Sequence, residues 1–360
     1  MRAGVEEARP AARARRGRST PGPVLVASVG VTHTEIAAVS EERGPARPVA
    51  ERRYPTGGYE GLADLARAFL DESELEVEAA CFSLPCLVSR GGARLDAPPW
   101  HIDEAGLARN LAVRRVWLLN DMVAAATAIP LLEPAELGLV KDGEPAEGGA
   151  IVLLVPGERL SVGLLVHDAD AASGYRALPS AANRAVAAPM TPGHLELLRG
   201  LWHGFEHASF EHVPSQASIH GLYEFLRDAG GVAESAQLAA ALPSARDRTR
   251  IVLDAACDRF DPDPLSRSAL DLYLQILGAQ TANVALTVLA TGGIYLAGRL
   301  ARRLRNELVS PAFLEPLLWA GMASEPLERV PVFVARRDLV LLGAAHEALR
   351  RCKGGPGPAS

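Results

Sequence analysis

An apolar strand that enters a short turn and returns at once occurs twice in this 360-residue chain, about 125 residues apart. The first runs from Val24 to Gly30, turns over Val31 to His33 and comes back from Thr34 to Ser40. The second runs from Ile151 to Val155, turns over Pro156 to Arg159 and returns from Leu160 to His167. Two like openings constrain the chain toward duplicated α/β lobes, and its length suits two cores better than one. Between them lie a third strand from Pro48 to Tyr54 and a helix from Gly61 to Leu70 that sets Leu62, Leu65, Ala66 and Phe69 on one face. A buried strand from Val77 to Leu84 and a helix at Leu107 to Leu111, opening near Asp103, come next. Arg115 to Leu119 is a strand that runs into Asn120-Asp121 and an alanine-rich helix stopped by Pro130. Residues 133–149, rich in Glu, Gly and Pro, read as a linker. The remainder reads as mainly helical, with an apolar stripe from Ser266 to Leu289 that is core packing or a dimer face. Gly292-Gly293 then precede a strand from Ile294 to Ala297, and Val332 to Val334 leads into a helix from Leu339. The expected division is a disordered basic tail (1–23), a small α/β lobe (24–130), a linker (131–149), a large α/β lobe (150–352) and a flexible tail (353–360).

Composition removes several functions. A net charge of −6, with 22% charged residues, argues against nucleic acid or an anionic membrane as partner. Four cysteines without a CxxC pair suggest neither a disulfide framework nor a zinc site. His203 and His207 share a helix face and His212 follows, but a fourth ligand is missing, so no metal site is assigned. No apolar run reaches membrane-spanning length. Six arginines crowd the first twenty residues, yet Glu6 and Glu7 interrupt them and no apolar core follows, unlike a secretory signal. A cytoplasmic protein is the expectation.

The turns carry the chemistry. Glycine-rich hairpin turns let backbone amides converge on phosphate oxygens. A carboxylate at a strand-to-helix junction can take a proton from an acceptor hydroxyl. Leu118-Leu119-Asn120-Asp121, Ala128-Ile129-Pro130-Leu131-Leu132, His207 to Val213 followed by Leu222-Tyr223, and Gly292-Gly293-Ile294-Tyr295-Leu296-Ala297-Gly298 occur in one order. With Tyr54-Pro55 to Leu70, these landmarks resemble the bacterial glucokinase family of the actin- and hexokinase-type ATPase superfamily, over roughly residues 24–350.

The resemblance implies two actin-like, ribonuclease H-like lobes with a cleft between them. It implies ATP, Mg2+ and a hexose such as glucose as ligands, a homodimer, and transfer of the γ-phosphoryl group to the sugar 6-hydroxyl. Asp121 would be the base; Asn120, Glu211 and Arg184 would meet the sugar. Gly30, Thr32, Gly157, Arg159, Gly292, Gly293 and Gly298 would meet the nucleotide. Plainer roles stand beside these: Asp121 as a helix cap, Glu211 as a surface ion-pair partner, and Arg159, Arg184 and Arg299 as surface drift rather than a new anion site.

Departures from the family pattern concentrate at the ligands. The first turn, "D-x-G-G-T-N-x-R" in the family, reads Ser28-Val29-Gly30-Val31-Thr32-His33-Thr34-Glu35. The acidic residue that the resemblance assigns to magnesium and phosphate is Ser28, and the arginine is Glu35. The second turn, "G-x-G-T-G-L-G", reads Val155-Pro156-Gly157-Glu158-Arg159-Leu160-Ser161. If such positions need φ > 0, each side chain there costs about 1–2 kcal/mol. A carboxylate at Glu158 some 4 Å from a phosphate charge would cost roughly 4 kcal/mol at a dielectric of about 20, which Arg159 would partly offset. The sugar-binding "E-G-G-H" corresponds to Ala181-Ala182-Asn183-Arg184, and "T-N" before Trp100 corresponds to Asp96-Ala97. The expectation is therefore a family member with weak or lost catalysis and a regulatory or assembly role. The alternative is an active hexose kinase of altered sugar or donor specificity.

Overall fold

The computed structural model describes residues 22–171, 173–185, 215–216, 218–318 and 324–354. The basic tail at 1–21, Glu211 and the histidines at 203, 207 and 212 lie outside the described residues.

The first half opens with β1 (Val24–Val29), β2 (His33–Val39) and β3 (Ala50–Pro55), an antiparallel meander. Helix α1 (Leu62–Ser73) follows, burying Leu62, Leu65, Ala66 and Phe69, and ends where Glu74 turns left-handed at φ 53°. β4 (Ala79–Leu84) then pairs parallel to β1. A short ribbon, β5 (Gly92–Arg94) and β6 (His101–Asp103), precedes α2 (Glu104–Leu111), whose first turn Asp103 caps by accepting from the Gly106 amide at 2.6 Å. β7 (Arg115–Asn120) pairs parallel to β4 and continues into α3 (Asp121–Thr127). The five strands lie in the order β3-β2-β1-β4-β7.

The second half repeats this plan. β8 (Leu137–Lys141) comes first, then β9 (Ile151–Pro156), β10 (Leu160–His167) and β11 (Tyr175–Pro179) form a second antiparallel meander. Among the described residues four α-helices follow: α4 (Ser218–Ala229), α5 (Ala236–Ala241), α6 (Arg248–Ala256) and α7 (Pro264–Val288). β12 (Gly293–Leu296) leads to α8 (Gly298–Arg303), α9 (Pro311–Leu318) and α10 (Ser324–Arg329), and β13 (Val332–Ala335) leads to α11 (Val340–Cys352). The sheet order is β11-β10-β9-β12-β13-β8. Strand for strand, β9, β10, β11, β12 and β13 match β1, β2, β3, β4 and β7, with the same parallel and antiparallel pairings.

The linker reading of 131–149 needs one correction. Leu137–Lys141 is a strand that pairs antiparallel with β13 and forms the edge of the second sheet. Five residues suffice for an edge strand, and the Glu, Gly and Pro around them mask so short an apolar signal. The apolar stripe of α7 is core: Leu270, Tyr273, Leu274 and Leu277 are buried. Asp263 caps this helix on the Ser266 amide at 2.8 Å, with Pro264 at its first position.

β1 and β4 read as near-continuous apolar runs because both faces of the first sheet are covered. Leu25, Ala27 and Phe82 pack toward α1 and α2, whereas Val24, Val26 and Cys81 pack toward Ala344 and Ala348 of α11. The terminal helix of each half lies on the other half's sheet: α3 packs on β10 and β11, and α11 on β1, β2 and β4. The two helices touch each other as well, and alanine and glycine make this feasible. A Cβ on Gly343 would run into the Ala124 carbonyl oxygen far inside van der Waals contact.

Candidate functional site

The carboxyl ends of β1, β4 and β7 meet at the start of α3. Asn120, the last residue of β7, caps this helix: its Oδ1 accepts from the amides of Met122 (3.0 Å) and Val123 (3.2 Å). Its Nδ2 donates to the Cys86 carbonyl and to Asp121 Oδ1, both at 3.1 Å. The cap is thus Asn120, and Asp121 is left to present a carboxylate. Met122 N also donates to Asp121 Oδ1 at 2.8 Å. Burial pushes the Asp121 carboxyl up to about 6, against the lowering pull of the Met122 amide, its own amide and Asn120. A carboxylate has about four lone-pair sites, so acceptor capacity remains for an incoming hydroxyl.

In the first turn the Gly30 amide donates to the His33 carbonyl at 3.0 Å, and a Cβ there would stand 2.6 Å from that oxygen. Thr56 fastens the turn, its hydroxyl on the Gly30 carbonyl (2.7 Å) and its amide on the Thr32 carbonyl (3.0 Å). Val31 is 48% exposed at the tip. In the second turn the Gly157 amide donates to the Arg159 carbonyl at 3.1 Å, and the Gly157 carbonyl accepts from the Gln216 amide at 2.6 Å. Glu158 and Arg159 are exposed. Positive φ is absent at Gly30, Val31, Thr32, Gly157, Glu158 and Arg159. The φ cost expected for side chains at the substituted positions is therefore not incurred, and at Gly30 it is the His33 carbonyl rather than φ that excludes a side chain.

The other expected nucleotide residues separate. Gly298 needs its lack of a side chain, with φ +89° and a notional Cβ 2.9 Å from Val155 Cγ1, and so stands beside the end of β9 that enters the second turn. Gly292 and Gly293 stand at the opposite end of β12, whose Gly293–Leu296 span alone is about 10 Å long. There Gly292 donates to the Ala150 carbonyl at 2.9 Å and Gly293 pairs with Ile151. Gly292 packs backbone to backbone, its notional Cβ falling far inside van der Waals contact with the Gly149 carbonyl oxygen, and Gly293 takes φ +130°. Asn183 Nδ2 donates to the Leu160 carbonyl at 2.9 Å, which places Arg184 and Arg159 on either side of one contact. Trp100 is buried in the first sheet's core.

Two contributors were not foreseen. The Cys86 carbonyl orients Asn120, and a backbone acceptor has no sequence signature. Gln280, buried in α7, donates to the Ala182 carbonyl at 3.2 Å; a lone amide inside an apolar stripe is the signal that marks it.

The residues at these turns fit magnesium poorly, and two of the backbone donors a phosphate would use are engaged elsewhere. The amides of Gly30 and Gly157 are spent inside their own turns, and an exposed carboxylate, Glu158, stands at the second tip. The next-to-last residue of β1 is Ser28, and among the described residues no three His, Cys, Asp or Glu side chains come together to hold a metal ion.

A family model described as Glucokinase matches residues 25–351. The glucokinase of Nostoc punctiforme is 27% identical over 343 residues, covering 91% of this chain and 99% of that protein. The crystal structure of a glucokinase from an Antarctic psychrotroph superposes with a TM-score of 0.73 at 22% identity, covering 91% of this chain and 98% of the other. A ROK family glucokinase from Streptomyces griseus, in complex with glucose and AMPPNP, gives a TM-score of 0.63 at 16% identity, covering 93% and all of the two chains respectively. These structural likenesses establish the fold, two actin-like α/β units.

Proposed function

We propose that this chain, which belongs to the glucokinase family, is a member whose phosphoryl transfer to hexose is weak or lost and which serves a regulatory or assembly role. One contrast carries the reading. The Asn120–Asp121 clip is complete, and in this reading Asp121 would accept from a sugar hydroxyl. The two turns that would have to hold the phosphates instead offer Ser28, Val31 and Glu158. Glu211 and Arg184 complete the proposed sugar contacts. The proposal includes a cytoplasmic location and a homodimer, and no nucleic-acid or membrane partner; among the described residues no helix is long and apolar enough to cross a membrane.

A second reading keeps the enzyme active toward another hexose or phosphoryl donor. It is favoured by Asp121, whose carboxyl sits near 6 and is largely ionised at neutral pH, as a general base requires. A coupled hexose-phosphorylation assay with ATP and magnesium, run beside Asp121→Asn, decides between the two. Turnover equal to that of the variant across hexoses is the expected result. Turnover that depends on Asp121 would replace the first reading by the second.

A further inference from the structure

One row of side chains crosses the whole first sheet at the level of the first turn. Arg53, Glu35, Ser28, Ser83 and Leu119 are successive register partners from β3 to β7. Side chains of paired residues share a face, and Leu119 packs with Val24, Val26 and Ala344 on the side covered by α11. Ser28 and Ser83 therefore lie next to each other on that side, at the carboxyl ends of β1 and β4.

Two features of the row belong together. Ser83 is completely buried and its hydroxyl has no hydrogen-bond partner, although buried hydroxyls nearly always find one. Its neighbour in register is Ser28, a short neutral side chain. The row's carboxylate sits one strand further out, at Glu35, and is engaged there: it lies 3.9 Å from Arg53 and lines a cavity of about 150 Å3 with Glu51, Arg337 and Asp338. Magnesium takes hard, charged oxygens, as a rule one or two carboxylates together with substrate phosphates. At this end of β1 it would meet two neutral hydroxyls, and Asp121 Oδ1 already accepts from Met122 and Asn120.

We propose that magnesium adds nothing to ligand binding by this chain, because Ser28 stands where its carboxylate would have to be, and that the orphaned Ser83 hydroxyl marks the acceptor missing there. A carboxylate at position 28 would give Ser83 an acceptor, and would need Glu35 changed as well, since like charges on directly paired residues repel.

The test is ATP affinity of the full chain by titration calorimetry, in magnesium and in EDTA. For the unaltered chain the two conditions should give the same Kd, or the same absence of heat. Tightening by magnesium of about tenfold or more would overturn the proposal. The double variant Ser28→Asp/Glu35→Arg should become magnesium-dependent by at least that factor. If it folds by circular dichroism and stays indifferent to magnesium, the assignment to Ser28 is wrong. Ser83→Ala keeps the idea testable if the double variant does not fold. Removal of an unpaired hydroxyl should leave the urea midpoint unchanged or higher, and a lower midpoint would show that Ser83 has a partner. The inference does not rest on lost turnover. Turnover that survives EDTA would refute the proposed function alone, and magnesium-dependent binding without turnover would refute this inference alone.

Discussion

Asp121→Asn should stabilise the protein in a pH-dependent way, and the structure fixes both sign and size. Burial raises the Asp121 carboxyl from an ordinary 3.8 to about 6. The folded state therefore prefers the protonated acid. That preference is fully expressed below about pH 4 and is lost as the pH rises through about 6. A gap of about two pH units is worth at most about 3 kcal/mol. Asparagine mimics the neutral acid in shape, keeps an oxygen for the Met122 and Asn120 donors, and cannot ionise. The stability of the variant minus that of the unaltered chain should thus be near zero at about pH 4 and climb to about 2–3 kcal/mol by pH 8. Urea denaturation of both proteins across this range, followed by tryptophan fluorescence, measures the difference directly. A gap of the same size at pH 5 and pH 8, or an unaltered chain more stable than the variant at pH 8, would refute the burial argument.

Two more perturbations have defined outcomes. Gly343→Ala must push α11 off the Ala124 backbone, at a cost of about 1–3 kcal/mol or more. Gly57→Ala, with open space around it, should stay within about 0.5 kcal/mol; equal melting temperatures for the two would contradict the close helix contact. Asn120→Ala removes the α3 cap, at about 1–2 kcal/mol, and the donor to Asp121 Oδ1. The Asp121 carboxyl should then titrate higher still, readable by NMR, and an unchanged or lower value would show that the clip does not act on the carboxylate.

Much of the fold was legible because local pattern and burial agree. The twin hairpins stood out as apolar runs broken by turns, and α1 and α7 as stripes that do face the core. β8 was not legible, since its few apolar residues sit in a Glu-, Gly- and Pro-rich stretch. Nor was the exchange of α3 and α11 between sheets, because helical spacing records which face is apolar and not what covers it. At the site, Asn120-Asp121 could be read from its place between strand and helix. Which of the two caps the helix could not, since either side chain can do so. The turns misled in the opposite sense: losing glycines suggested strain, yet φ is negative or extended at every substituted position described. Gly292 has a packing reason of its own beside the Gly149 carbonyl, and glycine that lets two backbones touch reads in a sequence the same as glycine that admits a phosphate.

The exchange of terminal helices also sets the order in which the protein can be made. The face formed by Val24, Val26, Ala37, Val39 and Cys81 is closed by Ala344, Ala345 and Ala348, some three hundred positions later in the chain. A ribosome that has released the first half has therefore produced a sheet with one greasy side uncovered until α11 emerges. Contacts of such long range slow folding, so a chain cut before α11 should expose that side and aggregate more readily than the full chain, which light scattering of the two would read.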